Sequence, residues 1–124
     1  MSGLYAIRVT GTISAAHRLP GYAGPCATMH GHNFIVTAEL GARRLENGMV
    51  VDFLQVKAAM DAILGRFDHT CLNDHPELDP PTAEVLAGHI FGKLRESLAN
   101  ERLQILKVTV EESEGLAASY AEDA

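Results

Sequence analysis

The sequence has too few cysteines for a disulfide framework. Cys26 and Cys71 are the only two; a reducing compartment keeps such a pair as thiols, and one bridge between them is the purely structural alternative. It also lacks any basic run: 10 lysines and arginines stand against 16 acidic residues, a net charge of -6. That balance argues against nucleic acid or an anionic membrane surface as the main partner. No apolar stretch approaches the roughly 20 residues that span a bilayer, and residues 1–16 have neither the charged start nor the unbroken apolar centre of a signal peptide. A cytoplasmic protein is the expectation. Repeats, low-complexity tracts and long linkers are absent too, so the 124 residues are expected to form one domain, 1–124.

What the chain does have is concentrated between Cys26 and Phe34, where a cysteine stands four residues before the first histidine of His30-Gly31-His32. In a strand, side chains alternate, so His30 and His32 share a face with Phe34, Val36, Ala38 and Leu40. Upstream, Tyr5, Ile7, Val9, Ile13, Ala15 and His17 share one parity, and Arg8, Thr10, Thr12 and Ser14 the other. Three histidines on the inner faces of two strands suit a zinc ion with one open position, the catalytic arrangement. A cupin-type site also begins with such a pair, but it needs a further histidine motif late in the chain, and none follows His89.

The coarse elements are strands over 4–15 and 31–41, with the proline- and glycine-containing loop 16–29 between them. Asn47-Gly48 marks a tight turn within Glu46–Met49. Asp52 caps a helix to about Leu64 whose stripe is Phe53, Val56, Met60, Ile63 and Leu64; after a loop over 65–81, Thr82 caps a second, with Leu86, Ile90, Phe91, Leu94 and Leu98. His89 lies beside that stripe as a packing or surface residue. Strand 103–112 sets Leu106, Val108, Val110 and Glu112 on one face, and Gly115 turns into a last strand over 116–120. The order implies α+β: a four-stranded antiparallel sheet with two helices on one face. Four strands cannot close a barrel, so their edges predict assembly with other copies.

Cys26 can act as base or nucleophile once it is a thiolate, and Cys71 competes for that role. Asp68 beside His69 can orient the imidazole, or the two can simply decorate a loop, and Glu112 by itself reads as a solvated strand end.

Six segments in order resemble the 6-pyruvoyl-tetrahydropterin synthase superfamily, the tunnelling fold, over nearly the whole chain. They are Ser14–Leu19, His30–Asn33, Gly48–Phe53, Phe67–His69 with Leu72-Asn73, Pro81–Glu84, and Val108–Ser113. The resemblance implies zinc on His17, His30 and His32, catalysis by Cys26 with Asp68 and His69, and a pterin anchored by Glu112 with Thr82 and Glu84 lining its pocket. It further implies a homo-hexamer, a dimer of trimers closing a barrel. Three residues between Cys26 and His30 are similar to the bacterial 6-carboxy-5,6,7,8-tetrahydropterin synthase branch of queuosine biosynthesis. That branch converts 7,8-dihydroneopterin triphosphate with release of triphosphate and acetaldehyde. The neighbouring activities are 6-pyruvoyl formation and side-chain cleavage. A zinc-binding structural module with Cys26 as fourth ligand is the reading of another class. Arg18 and Arg66 are candidate triphosphate contacts. Ile13 and Thr70-Cys71 depart from the family's usual residues.

Overall fold

The computed structural model describes residues 3–19, 21 and 29–122; Cys26 and the side chain of His30 lie outside the described residues. Strands β1 (Tyr5–His17) and β2 (His30–Ala42) pair antiparallel along their whole length, from Tyr5 opposite Ala42 to His17 opposite His30. Alternation buries Ile13, Ala15 and His17 with Phe34, Val36, Ala38 and Leu40 on one face. The parity read from the sequence therefore holds in both strands. Both also run further at the histidine end than the pattern indicated, so His17 and His30 sit in sheet register rather than in a loop.

The turn after β2 forms where Asn47 and Gly48 adopt φ of 52° and 75°, and Glu46 and Met49 exchange backbone hydrogen bonds of 3.0 and 2.9 Å. Helix α1 (Phe53–Gly65) starts at Asp52, whose Oδ1 accepts the Leu54 N–H at 2.8 Å. Its buried residues are Val56, Met60 and Leu64. Phe53, expected in this stripe, is 59% exposed instead and borders an open cavity with Tyr5, Ala6 and Ile7 of β1. Gly11 lets α1 lie flat on β1: a Cβ there would stand 2.7 Å from Leu64 Cδ1.

The chain next adds β3 (Thr70–Cys71), parallel to β1 with Thr70 opposite Ala15 and Cys71 opposite Ala16, then a single 3-10 turn over Leu72–Asp74. Helix α2 (Ala83–Leu98) follows, capped by Thr82 Oγ1 accepting the Val85 N–H at 3.1 Å. Strands β4 (Gln104–Ser113) and β5 (Leu116–Tyr120) form a hairpin through Gly115 at φ 82°. The sheet order is β3-β1-β2-β4-β5. It is thus a mixed five-stranded sheet, not the expected four-stranded antiparallel one: a two-residue strand has no period to read. Both helices cover the face that carries the buried core.

Two irregularities in β4 matter for the site. Leu40 pairs with Ile105 but Glu39 with Lys107, leaving Leu106 as the extra residue of a bulge. Ile105, Val108 and Val110 consequently face inward, and Leu106, expected inward, lies against Gly41. On the other edge, Glu111 pairs with Ala117 and Ser113 with Leu116, so Glu112 is the residue left over, and it keeps the inward parity of Val108 and Val110, beside His17 and His32.

Candidate active site

His17 ends β1 on the covered face and is 1% exposed. Its Nδ1 lies 2.8 Å from the Pro81 carbonyl oxygen. A carbonyl only accepts, so Nδ1 carries a proton, and in the neutral ring Nε2 presents a lone pair. That Nε2 stands 2.9 Å from Oε1 of Glu112, and His32 Nε2 stands 3.6 Å from the same oxygen. The rings of His17 and His32 meet edge to face at 5.4 Å, and each packs at 5.5 Å on Phe34, the buried floor of the cluster. Asn73 fixes the end of β1 just beyond His17: its Oδ1 accepts the Arg18 N–H and its Nδ2 donates to the Arg18 carbonyl, both at 2.9 Å.

One ligand atom each from His17, His32 and Glu112 lies within 4.8 Å of the others. Two imidazole nitrogens and a carboxylate oxygen form a zinc donor set, and a ligand histidine normally donates its other N–H to an oxygen as His17 does to Pro81. Converging lone pairs repel unless a cation or a proton stands between them, so these residues fit a metal. The sequence placed His30 third in this set; its backbone lies opposite His17. Glu112, read from sequence as a pterin anchor, stands among the imidazoles and also borders a cavity of about 340 Å³ with Glu84, Ala83 and the β4–β5 turn. Glu84 and Glu112 therefore share one cavity, whereas the Thr82 hydroxyl is engaged in capping α2.

Asp68 and His69 are also brought together. Asp68 Oδ1 accepts the Ser14 N–H at 2.8 Å, and its Oδ2 lies 3.0 Å from His69 Nδ1. The Ser14 N–H, helped by the adjacent imidazole, holds the Asp68 carboxyl below its ordinary range. His69 takes φ of 60° and donates its backbone N–H to the Ser14 carbonyl at 2.6 Å. Its side chain is 81% exposed and borders a second cavity, of about 390 Å³, with Ser14, Ala16, Gly31 and Asn33. Ser14 pairs with Asn33 and Ala16 with Gly31, so their side chains alternate away from those of His17 and Phe34. Ala15 and His32 border that cavity from between them. His69 thus shares that cavity with His32.

Other candidates resolve differently. Arg66 is paired with Glu77, and Arg18 is exposed at the end of β1. Cys71 is a half-buried thiol with Sγ 3.8 Å from Met29 Sδ. Sequence reasoning placed Phe34 on the histidines' face but missed two partners, the Pro81 carbonyl and the Ser14 N–H. Both are backbone groups with no side-chain signature.

The family model for 6-pyruvoyl tetrahydropterin synthase matches residues 6–123. An Archaeoglobus fulgidus protein provisionally named as a 6-carboxy-5,6,7,8-tetrahydropterin synthase is 40% identical over 108 residues, covering 87% of this chain and 88% of its own. A Synechocystis protein named 6-carboxy-5,6,7,8-tetrahydropterin synthase is 40% identical over 92 residues, 69% of this chain and 71% of its own. The structure of Caenorhabditis elegans 6-pyruvoyl tetrahydropterin synthase superposes with a TM-score of 0.83 at 27% identity, over 98% of both chains. With sequence match, fold and histidine cluster in agreement, this chain belongs to the 6-pyruvoyl tetrahydropterin synthase family of pterin lyases.

Proposed function

We propose that the protein is a zinc-dependent lyase converting 7,8-dihydroneopterin triphosphate to 6-carboxy-5,6,7,8-tetrahydropterin, with release of triphosphate and acetaldehyde. The observation that carries this reading is the convergence of His17, His32 and Glu112, with the His17 tautomer set by Pro81, beside a cavity bordered by Glu84 and Glu112. The names of the relatives and the Cys26-to-His30 spacing support the 6-carboxy product.

His17 and His32, with His30 as the third imidazole, would hold zinc, which would supply a Lewis acid to stabilise charge developing on a side-chain oxygen of the substrate, leaving the Glu112 carboxylate beside them for the pterin. Glu112 borders both the imidazoles and the cavity. Its carboxylate accepts the pterin 2-amino and ring N–H groups, fixing where the side chain of the substrate falls. Glu84 completes that pocket, and Thr82, whose hydroxyl caps α2, precedes the Ala83 that borders it. Cys26, as thiolate, carries the proton. Asp68 holds His69 through Nδ1, so that His69 Nε2 is the nitrogen free to exchange a proton. Arg18 meets the triphosphate.

His69 stands outside the His17, His32 and Glu112 cluster, and in the assembly the Asp68–His69 pair of one chain serves the zinc of another. The site is then completed only on assembly, consistent with a homo-hexamer built as a dimer of trimers and working in the cytoplasm. Among the described residues no helix is long and apolar enough to cross a membrane.

The same residues serve 6-pyruvoyl formation, the activity named for the Caenorhabditis elegans structure; only the product separates the two. Metal analysis tests the zinc role. Stripping with a chelator should abolish turnover while circular dichroism stays native, and added zinc should restore activity. Unfolding on stripping, without turnover in the loaded protein, would instead favour a structural zinc module.

A further inference from the structure

The segment after Asp68-His69 contains a polar contact to which the reaction above gives no role. Thr70 Oγ1 lies 2.6 Å from the Phe67 carbonyl oxygen and 3.0 Å from Nε2 of His75. A hydroxyl has one proton, and a carbonyl can only accept. The Thr70 proton therefore goes to Phe67, and His75 Nε2 is the donor to Thr70. Nε2 carries a proton in one neutral tautomer and in the imidazolium alike, so the contact does not depend on the state of Nδ1.

His75 is itself held in place. Its ring meets the fully buried Phe67 edge to face at 4.9 Å, and its backbone N–H donates to the Leu72 carbonyl at 3.1 Å. Phe67, Asp68, His69 and Thr70 form a tight loop closed by Thr70, whose backbone N–H also reaches the Phe67 carbonyl at 3.2 Å. Inside that loop His69 adopts the left-handed φ of 60°, which a residue with a Cβ keeps only when its surroundings enforce it. On the Asp68 side the enforcement comes from Ser14, and on the other side from Thr70, with His75 behind it.

We propose that His75 is a positioning residue, holding Thr70 and through it the left-handed His69, so that the Asp68–His69 pair is presented in one orientation. The role rests on the reading of that pair as catalytic.

Three substitutions test it. His75→Phe keeps a ring against Phe67 without a donor, His75→Gln returns an N–H near the place of Nε2, and Thr70→Val removes the hydroxyl at nearly constant shape. His75→Phe is expected to lower kcat on the order of tenfold, as a misoriented catalytic group does, with KM and zinc content unchanged. His75→Gln recovers most of the loss, and Thr70→Val combined with His75→Phe is no worse than either alone. A readout independent of substrate is the Asp68 carboxyl followed by NMR. Its titration should move up toward the ordinary carboxylate value in His75→Phe and stay in place in His75→Gln. Wild-type kcat with unmoved Asp68 titration in His75→Phe, or equal damage from Phe and Gln, overturns the proposal. Should the wild-type chain not turn over the pterin triphosphate, the functional reading fails, while the Asp68 titration still decides the role of His75.

Discussion

His17 donates from Nδ1 to the carbonyl oxygen of Pro81 at 2.8 Å, and this one bond turns its Nε2 toward His32 and Glu112. Pro81, the residue before the Thr82 cap of α2, thereby fixes the tautomer of a side chain at the end of β1. Losing an outer partner of a metal ligand costs roughly tenfold to hundredfold in affinity; losing the ligand costs more. His17→Ala and His32→Ala should each lower zinc affinity by at least about a hundredfold and abolish turnover, measured by competition with a fluorescent chelator.

Asp68 pairs with His69 and stands outside the His17, His32 and Glu112 cluster. Asp68→Asn should retain zinc and lower kcat by about 10²- to 10⁴-fold, the range for a displaced acid–base group. Cys26→Ala should likewise keep zinc and lose turnover. Steady-state rates beside metal content separate this from simple unfolding; undiminished turnover by Cys26→Ala removes the thiolate from the reaction.

The proposed sharing of the site, with the Asp68–His69 pair and the histidine cluster drawn from different chains, gives a mixing experiment. His69→Ala and His32→Ala chains, each inactive alone, should regain activity when unfolded and refolded together, because some sites then combine an intact pair with an intact zinc set. No recovery in demonstrably mixed oligomers would mean that each chain forms its site alone.

Two groups give acid sensitivity of known sign. The Arg66 guanidinium holds Glu77 down to about 2, against about 4.3 in an unfolded chain. A depressed carboxyl contributes stability that is complete above the unfolded value and lost as pH falls toward 2. Glu77→Gln should therefore flatten the decline of Tm between about pH 5 and 2. His89, packed edge to face on Phe67 at 5.5 Å, is pushed below its ordinary value by burial. The unfolded chain then takes up a proton first as pH falls below about 6.5, so stability drops there. His89→Gln should remove that part of the drop, read by calorimetry at pH 7 and 5.

Gly11 lies under α1, and a methyl there would meet Leu64 Cδ1 at 2.7 Å. Gly11→Ala should cost about 1–3 kcal/mol of overpacking, seen as a lower denaturation midpoint without change in zinc binding per folded chain.

The parts legible in the sequence were those with a period. Alternation in β1 and β2 put His17 and His32 on the covered face, and the caps at Asp52 and Thr82 and the Asn47-Gly48 turn lie where their chemistry demands. The parity of β4 slipped by one at Leu106, because a bulge adds a residue without a sequence mark. The two-residue β3 was invisible for want of length, and with it the tie between the Asp68 loop and β1. At the site, side chains were readable and backbone partners were not: Pro81, Ser14 and Phe67 act through their peptide groups.

The most direct test of the whole account is product identification. Purified, zinc-loaded protein is incubated with 7,8-dihydroneopterin triphosphate and the products are separated by mass spectrometry. The account requires 6-carboxy-5,6,7,8-tetrahydropterin together with acetaldehyde and triphosphate. A 6-pyruvoyl product would contradict the 6-carboxy assignment, and unchanged substrate with zinc bound would contradict the substrate itself.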